Sequence, residues 1–173
     1  DACNDLLENF SPTNLRKLIV SNHAEADDAG AIAFASILAK APSMEYFCYR
    51  SNACGTPGGV QISEALESCS SNLTYLDLSD NYFRVEAGIA LGKAVSRMNS
   101  LKTLKADDMG LEDEGVSSIL KSLNNSCTKL EVLSLKYNDC TANGIQYLDE
   151  ALSKKDDLKE LHFGGNPIEE VGC

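Results

Sequence analysis

An α/β solenoid is the fold class that this 173-residue sequence predicts. Three observations predict it: six segments recur at a nearly constant step, each opens on a strand-like pattern, and each passes into a helix-like one. The segments begin at Leu15, Met44, Leu73, Leu101, Leu130 and Leu158, so the steps are 29, 29, 28, 29 and 28 residues. Residues 1–173 read as a single repeat domain, with 1–14 as the end of a preceding repeat.

The strand comes first in each unit. Taking Leu73-Thr-Tyr-Leu-Asp-Leu-Ser-Asp-Asn-Tyr-Phe83 as template gives L-x-x-L-x-L-x-x-N-x-L, the leucine-rich repeat signature. The first, fourth and sixth positions of six repeats make 18 places, and all are apolar, where a chain that is 43% hydrophobic would place about 8 by chance. Spacing of two points the fourth and sixth side chains to one face of a strand and the intervening ones to the other. The stacked units therefore predict a parallel sheet in a right-handed βα superhelix shaped like a horseshoe.

The turn follows. Its ninth position is Asn52, Asn81, Asn138 and Asn166 in four repeats, with His23 and Met109 as exceptions. An amide that both donates and accepts can serve backbone groups left where the chain leaves the strand, so these residues predict a ladder between repeats. His23 reads as satisfying turn backbone, and Met109, which has no donor, leaves the fourth turn the least specified. A glycine comes next (Gly30, Gly59, Gly88, Gly115, Gly144, Gly172), and behind it the period lengthens. Phe34, Ile37, Leu38 and Ala41, then Ile62, Ala65, Leu66 and Cys69, then Val116, Ile119, Leu120 and Leu123 have helical spacing, so a helix is expected to close each repeat. Asp1–Phe10 reads as the helix of a preceding repeat, and Cys173 falls one residue past the sixth glycine. Both termini read as truncated, with the natural protein longer on each side or its ends covered by another chain.

Composition narrows the chemistry. The formal charge of −11 repels phosphate backbones, so nucleic acid is not the expected partner. No stretch is long and apolar enough to span a bilayer. Seven cysteines, an odd count, include no Cys-x-x-Cys pair and follow no signal sequence. Cys48, Cys54, Cys69, Cys127 and Cys140 fall in the apolar pattern as small hydrophobes, which points to a reducing compartment where the sequons at Asn72 and Asn124 are idle. Only His23 and His162 could serve as imidazole ligands, and no metal or cofactor set is expected. The glycines of Gly55–Gly59 lack the Lys-Ser/Thr of a phosphate loop and read as turn chemistry. No catalytic site is expected.

What remains is a surface. The fifth position shows Ile19, Cys48, Asp77, Lys105, Ser134 and His162; the seventh Ser21, Arg50, Ser79, Asp107, Lys136 and Gly164; the eighth Asn22, Ser51, Asp80, Asp108, Tyr137 and Gly165. Asp77 beside Lys105 and Asp107 beside Lys136 predict a charge ladder. Arg50, Tyr75, Asp80, Asp108, Lys136 and Tyr137 are the candidate protein-docking residues, because aromatic residues and Arg are enriched among binding hot spots.

Leu76-Asp-Leu-Ser-Asp-Asn-Tyr-Phe-Arg-Val-Glu-Ala-Gly-Ile-Ala-Leu91, Leu111-Glu-Asp-Glu-Gly115 and Gly58-Gly-Val-Gln-Ile-Ser-Glu-Ala-Leu-Glu67 resemble repeats of the Ran GTPase-activating proteins, whose units are of the ribonuclease-inhibitor-like length. The alternating repeats and distinctive cysteines of ribonuclease inhibitor itself are missing. The resemblance implies a protein without its own active site that docks on the small GTPase Ran, orders the GTPase's own catalytic glutamine without an arginine finger, and maintains the gradient that drives nuclear transport. It implies a place in the cytoplasm and at the nuclear periphery. The family's principal Arg and Asn lie in repeats before the point where this chain begins, and neither Arg50 nor Asn52 stands in their motif context. The family's acidic tail has no counterpart after Val171. The resemblance therefore implies a repeat fragment without the activating residues, and a general binding scaffold or inhibitor is the alternative.

Overall fold

A computed structural model describes residues 11–23 and 27–168; the expected preceding helix at Asp1–Phe10 and the sixth glycine, Gly172, lie outside the described residues. Strands β1 (Lys17–Ser21), β2 (Tyr46–Arg50), β3 (Tyr75–Asp77), β4 (Thr103–Lys105), β5 (Val132–Ser134) and β6 (Glu160–His162) form one six-stranded sheet in chain order. Every neighbouring pair is parallel, and Leu18, Phe47, Leu76, Leu104, Leu133 and Leu161 lie side by side across it. Helices α1 (Asp28–Leu38), α2 (Thr56–Leu66), α3 (Arg84–Val95), α4 (Glu112–Leu123) and α5 (Leu148–Leu152) provide the crossovers. The expected leucine-rich repeat α/β solenoid is the fold.

The core lies between the two layers. All template leucines and their equivalents in repeats two to five are buried, together with Leu38, Ile62, Leu66, Leu91, Val95, Ile119 and Leu120 from the helices. The edge strands differ: β1 and β6 each have one neighbour, Leu18 is half-buried, and Leu161 is 41% exposed.

Three sequence expectations need correction. The recurring glycines do not stand ahead of the helices; Gly30, Gly59, Gly88 and Gly115 lie inside them, where neighbouring helices approach. A Cβ at Gly59 would stand 2.7 Å from the Phe83 ring, and one at Gly88 would stand 2.9 Å from Leu111 and 3.1 Å from the backbone of Gly115. The Gly55–Gly59 run is likewise the start of α2 and not a free turn: Asp28 of the preceding repeat accepts from the amides of Gly55 (2.7 Å) and Gly58 (3.2 Å). Asp113 repeats the device at Thr141, accepting from its amide at 2.6 Å and its hydroxyl at 2.7 Å. Burial opposes ionisation of Asp113, but the Thr141 hydrogen bonds outweigh it and hold the carboxyl below its ordinary value. Finally, the fifth repeat closes on five residues of helix only, because residues 142–147, which include the turn-forming pair Asn143-Gly144, are turns. In α1 the inward face belongs to Ala31, Ala35 and Leu38, with Phe34 and Ile37 half-buried.

The asparagine ladder is present. Asn52, Asn81, Asn138 and Asn166 each donate to a carbonyl of the preceding repeat, at Val20 (2.9 Å), Tyr49 (2.8 Å), Ala106 (2.7 Å) and Leu135 (2.8 Å). Their carbonyl oxygens accept amides from that same repeat, as Asn138 does from Met109 at 3.1 Å. Met109 is buried, and the Leu78 carbonyl that an asparagine there would reach is instead met by Asn81 at 2.9 Å. His23 is exposed; it contributes its amide to Asn52 at 3.1 Å.

Candidate docking face

Side chains at the third, fifth and seventh template positions leave the sheet opposite the core. At the third, Tyr46 and Tyr75 stack with ring centroids 4.1 Å apart and planes 4° from parallel, and the Lys17 ammonium lies 4.5 Å from the Tyr46 centroid. Tyr75, half-buried by this stacking, donates its hydroxyl to Asp77 at 3.4 Å. Asp77 and Lys105 are in register as expected, but no ion pair joins them among the described residues: the carboxylate is buried and accepts the Ser79 amide at 3.1 Å. The second expected pair does form, with Lys136 3.3 Å from Asp107, which also accepts from the Ser134 hydroxyl at 2.6 Å and the Lys136 amide at 2.8 Å.

Among the candidate docking residues, Arg50 and Asp80 engage one another. Arg50 Nε and Nη2 approach one Asp80 oxygen at 2.9 and 2.8 Å, and the Ser51 hydroxyl adds a bond of 3.1 Å. Lys136 is tied to Asp107, Tyr75 to Tyr46. Asp108 and Tyr137 remain exposed, with no side-chain hydrogen bond or ion pair among the described residues.

The eighth position has a backbone explanation that pattern reading missed. It is left-handed in all six repeats: Asn22 (φ 61°), Ser51 (57°), Asp80 (57°), Asp108 (50°), Tyr137 (54°) and Gly165 (77°). Asn, Asp and Gly tolerate this region best, so part of the reason for Asp80 and Asp108 is local geometry. Tyr137 is the departure, since a bulky residue held there costs about 1–3 kcal/mol that the surrounding structure must offset.

Sequence reading also passed over two columns. The third, Lys17-Tyr46-Tyr75, was available from the same register that revealed the fifth and seventh. The second position carries Arg16–Glu45, Lys102–Glu131 (3.0 Å) and Lys159–Glu131 (2.6 Å) along one rim. Lys159 and then Lys102 hold the Glu131 carboxyl below its ordinary value. Exposed pairs of this kind fix orientation more than they add stability.

Five cysteines lie among the described residues, all free and buried. Burial, the largest cause, pushes the thiols of Cys69 and Cys127 up to about 11; at Cys54 and Cys140, where Asp28 and Asp113 add to it, the value is about 12. Cys48 is also raised, by burial and then by Asp77. Thiolate is the reactive form, so these side chains are inert near neutrality. With Cys3 and Cys173 replaced by Ser, Ellman's reagent at pH 8 should leave the native chain unlabelled and react with all five thiols in 6 M guanidinium; rapid native labelling would show that the packing is wrong. No group of three or more His, Cys, Asp or Glu able to hold a metal occurs among the described residues, and no described helix is long and apolar enough to cross a membrane.

The Leucine Rich repeat family model matches residues 69–92. RAN GTPase-activating protein 2 of Arabidopsis thaliana is 36% identical over 66% of this chain and 21% of its own length. Ribonuclease inhibitor of Sus scrofa is 30% identical over 80% of the chain and 30% of its own length. NACHT, LRR and PYD domains-containing protein 4C of Mus musculus is 28% identical over 92% and 16% respectively. The chain thus spans about a fifth to a third of the first two relatives.

Proposed function

We propose, for a chain that is a leucine-rich repeat protein with ribonuclease-inhibitor-like relatives, a part in docking the small GTPase Ran and stimulating its GTP hydrolysis during nucleocytoplasmic transport. The observation that carries this reading is the 36% identity to a RAN GTPase-activating protein across 66% of the chain. The sheet supports it by presenting side chains at fixed spacing on a rigid frame, which suits recognition of a folded protein. The protein acts from the cytoplasm and the nuclear periphery without an active site of its own. Its contribution is positioning, and the transferred phosphoryl group is handled by the GTPase. Arg50 is not a finger in this scheme, because Asp80 holds its guanidinium in place.

The test is phosphate release from GTP-loaded Ran. The full-length protein is expected to accelerate hydrolysis at least about a thousandfold, the lower end of the range GTPase activators reach, while residues 1–173 alone leave the intrinsic rate unchanged. The likeness to ribonuclease inhibitor favours a second reading, a binding scaffold or inhibitor without GTPase-activating function. Absence of acceleration by the full-length protein would decide for that scaffold.

A further inference from the structure

We infer that the sheet edge where the strands run into the helices is a protein-docking surface anchored by Tyr82 and Tyr137, and that its partner presents a basic segment rich in Arg and Lys. The inference goes beyond the Ran reading and stands or falls without it. Tyr82 and Tyr137 are the most exposed large apolar side chains described, at 63% and 60%, and both lie in loops on this edge. They belong to the third and fifth repeats, two strands or about 10 Å apart. Tyr137 is held in place: its backbone is left-handed, its amide donates to the Gly164 carbonyl at 3.1 Å, and its ring lies against Gly165, where a Cβ would stand 2.1 Å away. A ring ordered before binding and still exposed loses little freedom on contact, which is what a hot-spot aromatic requires.

The partner's sign follows from how charge is divided between the two edges. On the tyrosine edge, residues 27–31, 50–59, 78–87, 106–115 and 135–144 carry ten Asp and Glu against three Lys and Arg; on the opposite edge, residues 11–16, 39–45, 67–74, 96–102, 124–131 and 153–159 carry five against eight. Some of these acids have structural work, since Asp28 and Asp113 cap the next repeat and acids at helix starts favour the helix dipole. Two of the three cations are occupied, Arg50 by Asp80 and Lys136 by Asp107, leaving Arg84. Asp108, exposed in the repeat between the two tyrosines, and Asp139 have no such partner among the described residues. Aromatic faces with carboxylates between them suit guanidinium and ammonium groups, and an acidic rim steers a basic surface toward them.

The probe is a nona-arginine peptide titrated calorimetrically into the 173-residue chain at 150 mM salt. The Tyr82→Ala/Tyr137→Ala double variant, which leaves charge unchanged, should weaken binding at least about fivefold, and Asp108→Asn should weaken it as well. Ile19→Ala, at an exposed inner-face position, should leave binding unchanged. Circular dichroism of each variant checks folding, and Tyr82→Ala alone, which touches no left-handed backbone, serves if the double variant unfolds. No binding, equal binding by the tyrosine variants, or loss confined to the inner-face variant would overturn the inference, the second by showing only diffuse attraction to an acidic protein.

Discussion

Replacement of Asn138 by Ala is expected to destabilise the solenoid by about 3–5 kcal/mol. One amide serves four backbone groups: it donates to the carbonyls of Ala106 (2.7 Å) and Lys136 (3.1 Å) and accepts the amides of Met109 (3.1 Å) and Leu111 (3.4 Å). Asn138 itself is fully buried, so water cannot readily replace it. The Lys136 carbonyl keeps the Asp108 amide at 2.8 Å, so three groups are orphaned; each costs about 1–3 kcal/mol, and relaxation around the smaller side chain recovers part of the sum. In a chain of this length the melting temperature should fall by roughly 10 °C. Asn143→Ala, at an exposed position, is the control and should stay within about 0.5 kcal/mol. A loss at Asn138 below about 1 kcal/mol would mean that the ladder is ornamental.

That bond set explains why the architecture is legible in the sequence. Leucine spacing defines strand faces, the step defines register, and an asparagine on each turn joins one repeat to the next; all three are periodic, so chance matches average out over six units. Features made between repeats by residues of different template position leave no periodic trace. Asp28 capping the amides of Gly55 and Gly58 requires knowing that a helix start in one repeat faces a helix start in the next. The helical glycines were visible as a column, but their purpose, close contact as between Gly88 and Gly115, emerges only once helices pack. Likewise the truncated helix of the fifth repeat follows from Asn143-Gly144, a local departure that a consensus smooths over.

The candidate docking residues divide for the same reason. Asp107 with Lys136 was predictable because both sit at the seventh position of adjacent strands, where side chains meet directly. Arg50 with Asp80 joins the seventh position to the eighth, and the left-handed turn at Asp80 is what brings the carboxylate back over its neighbour. Exposure of Tyr137 depends on that same turn, which lifts the eighth side chain out of the strand's alternation. Sequence columns therefore locate the display, while backbone conformation decides which members pair internally and which are left for a partner.

Leu104→Ala tests the sheet at its centre and should cost about 2–5 kcal/mol. Leu104 is fully buried between Leu76 and Leu133 in neighbouring strands. Truncation there removes apolar contact and leaves a cavity that strands fixed on both sides cannot close, so the cost belongs near the upper half of that range. Leu161 occupies the same template position in β6 but is 41% exposed, with one strand beside it. Leu161→Ala should accordingly cost no more than about 1 kcal/mol, since less buried area is lost than at Leu104 and the exposed side leaves no closed cavity. Leu104→Met, which conserves volume and apolar character, should remain within about 1.5 kcal/mol of the native chain. Urea unfolding of the three variants separates consensus from context: equal losses at positions 104 and 161 would show that the motif alone sets stability, whereas the expected disparity assigns it to neighbours on both sides.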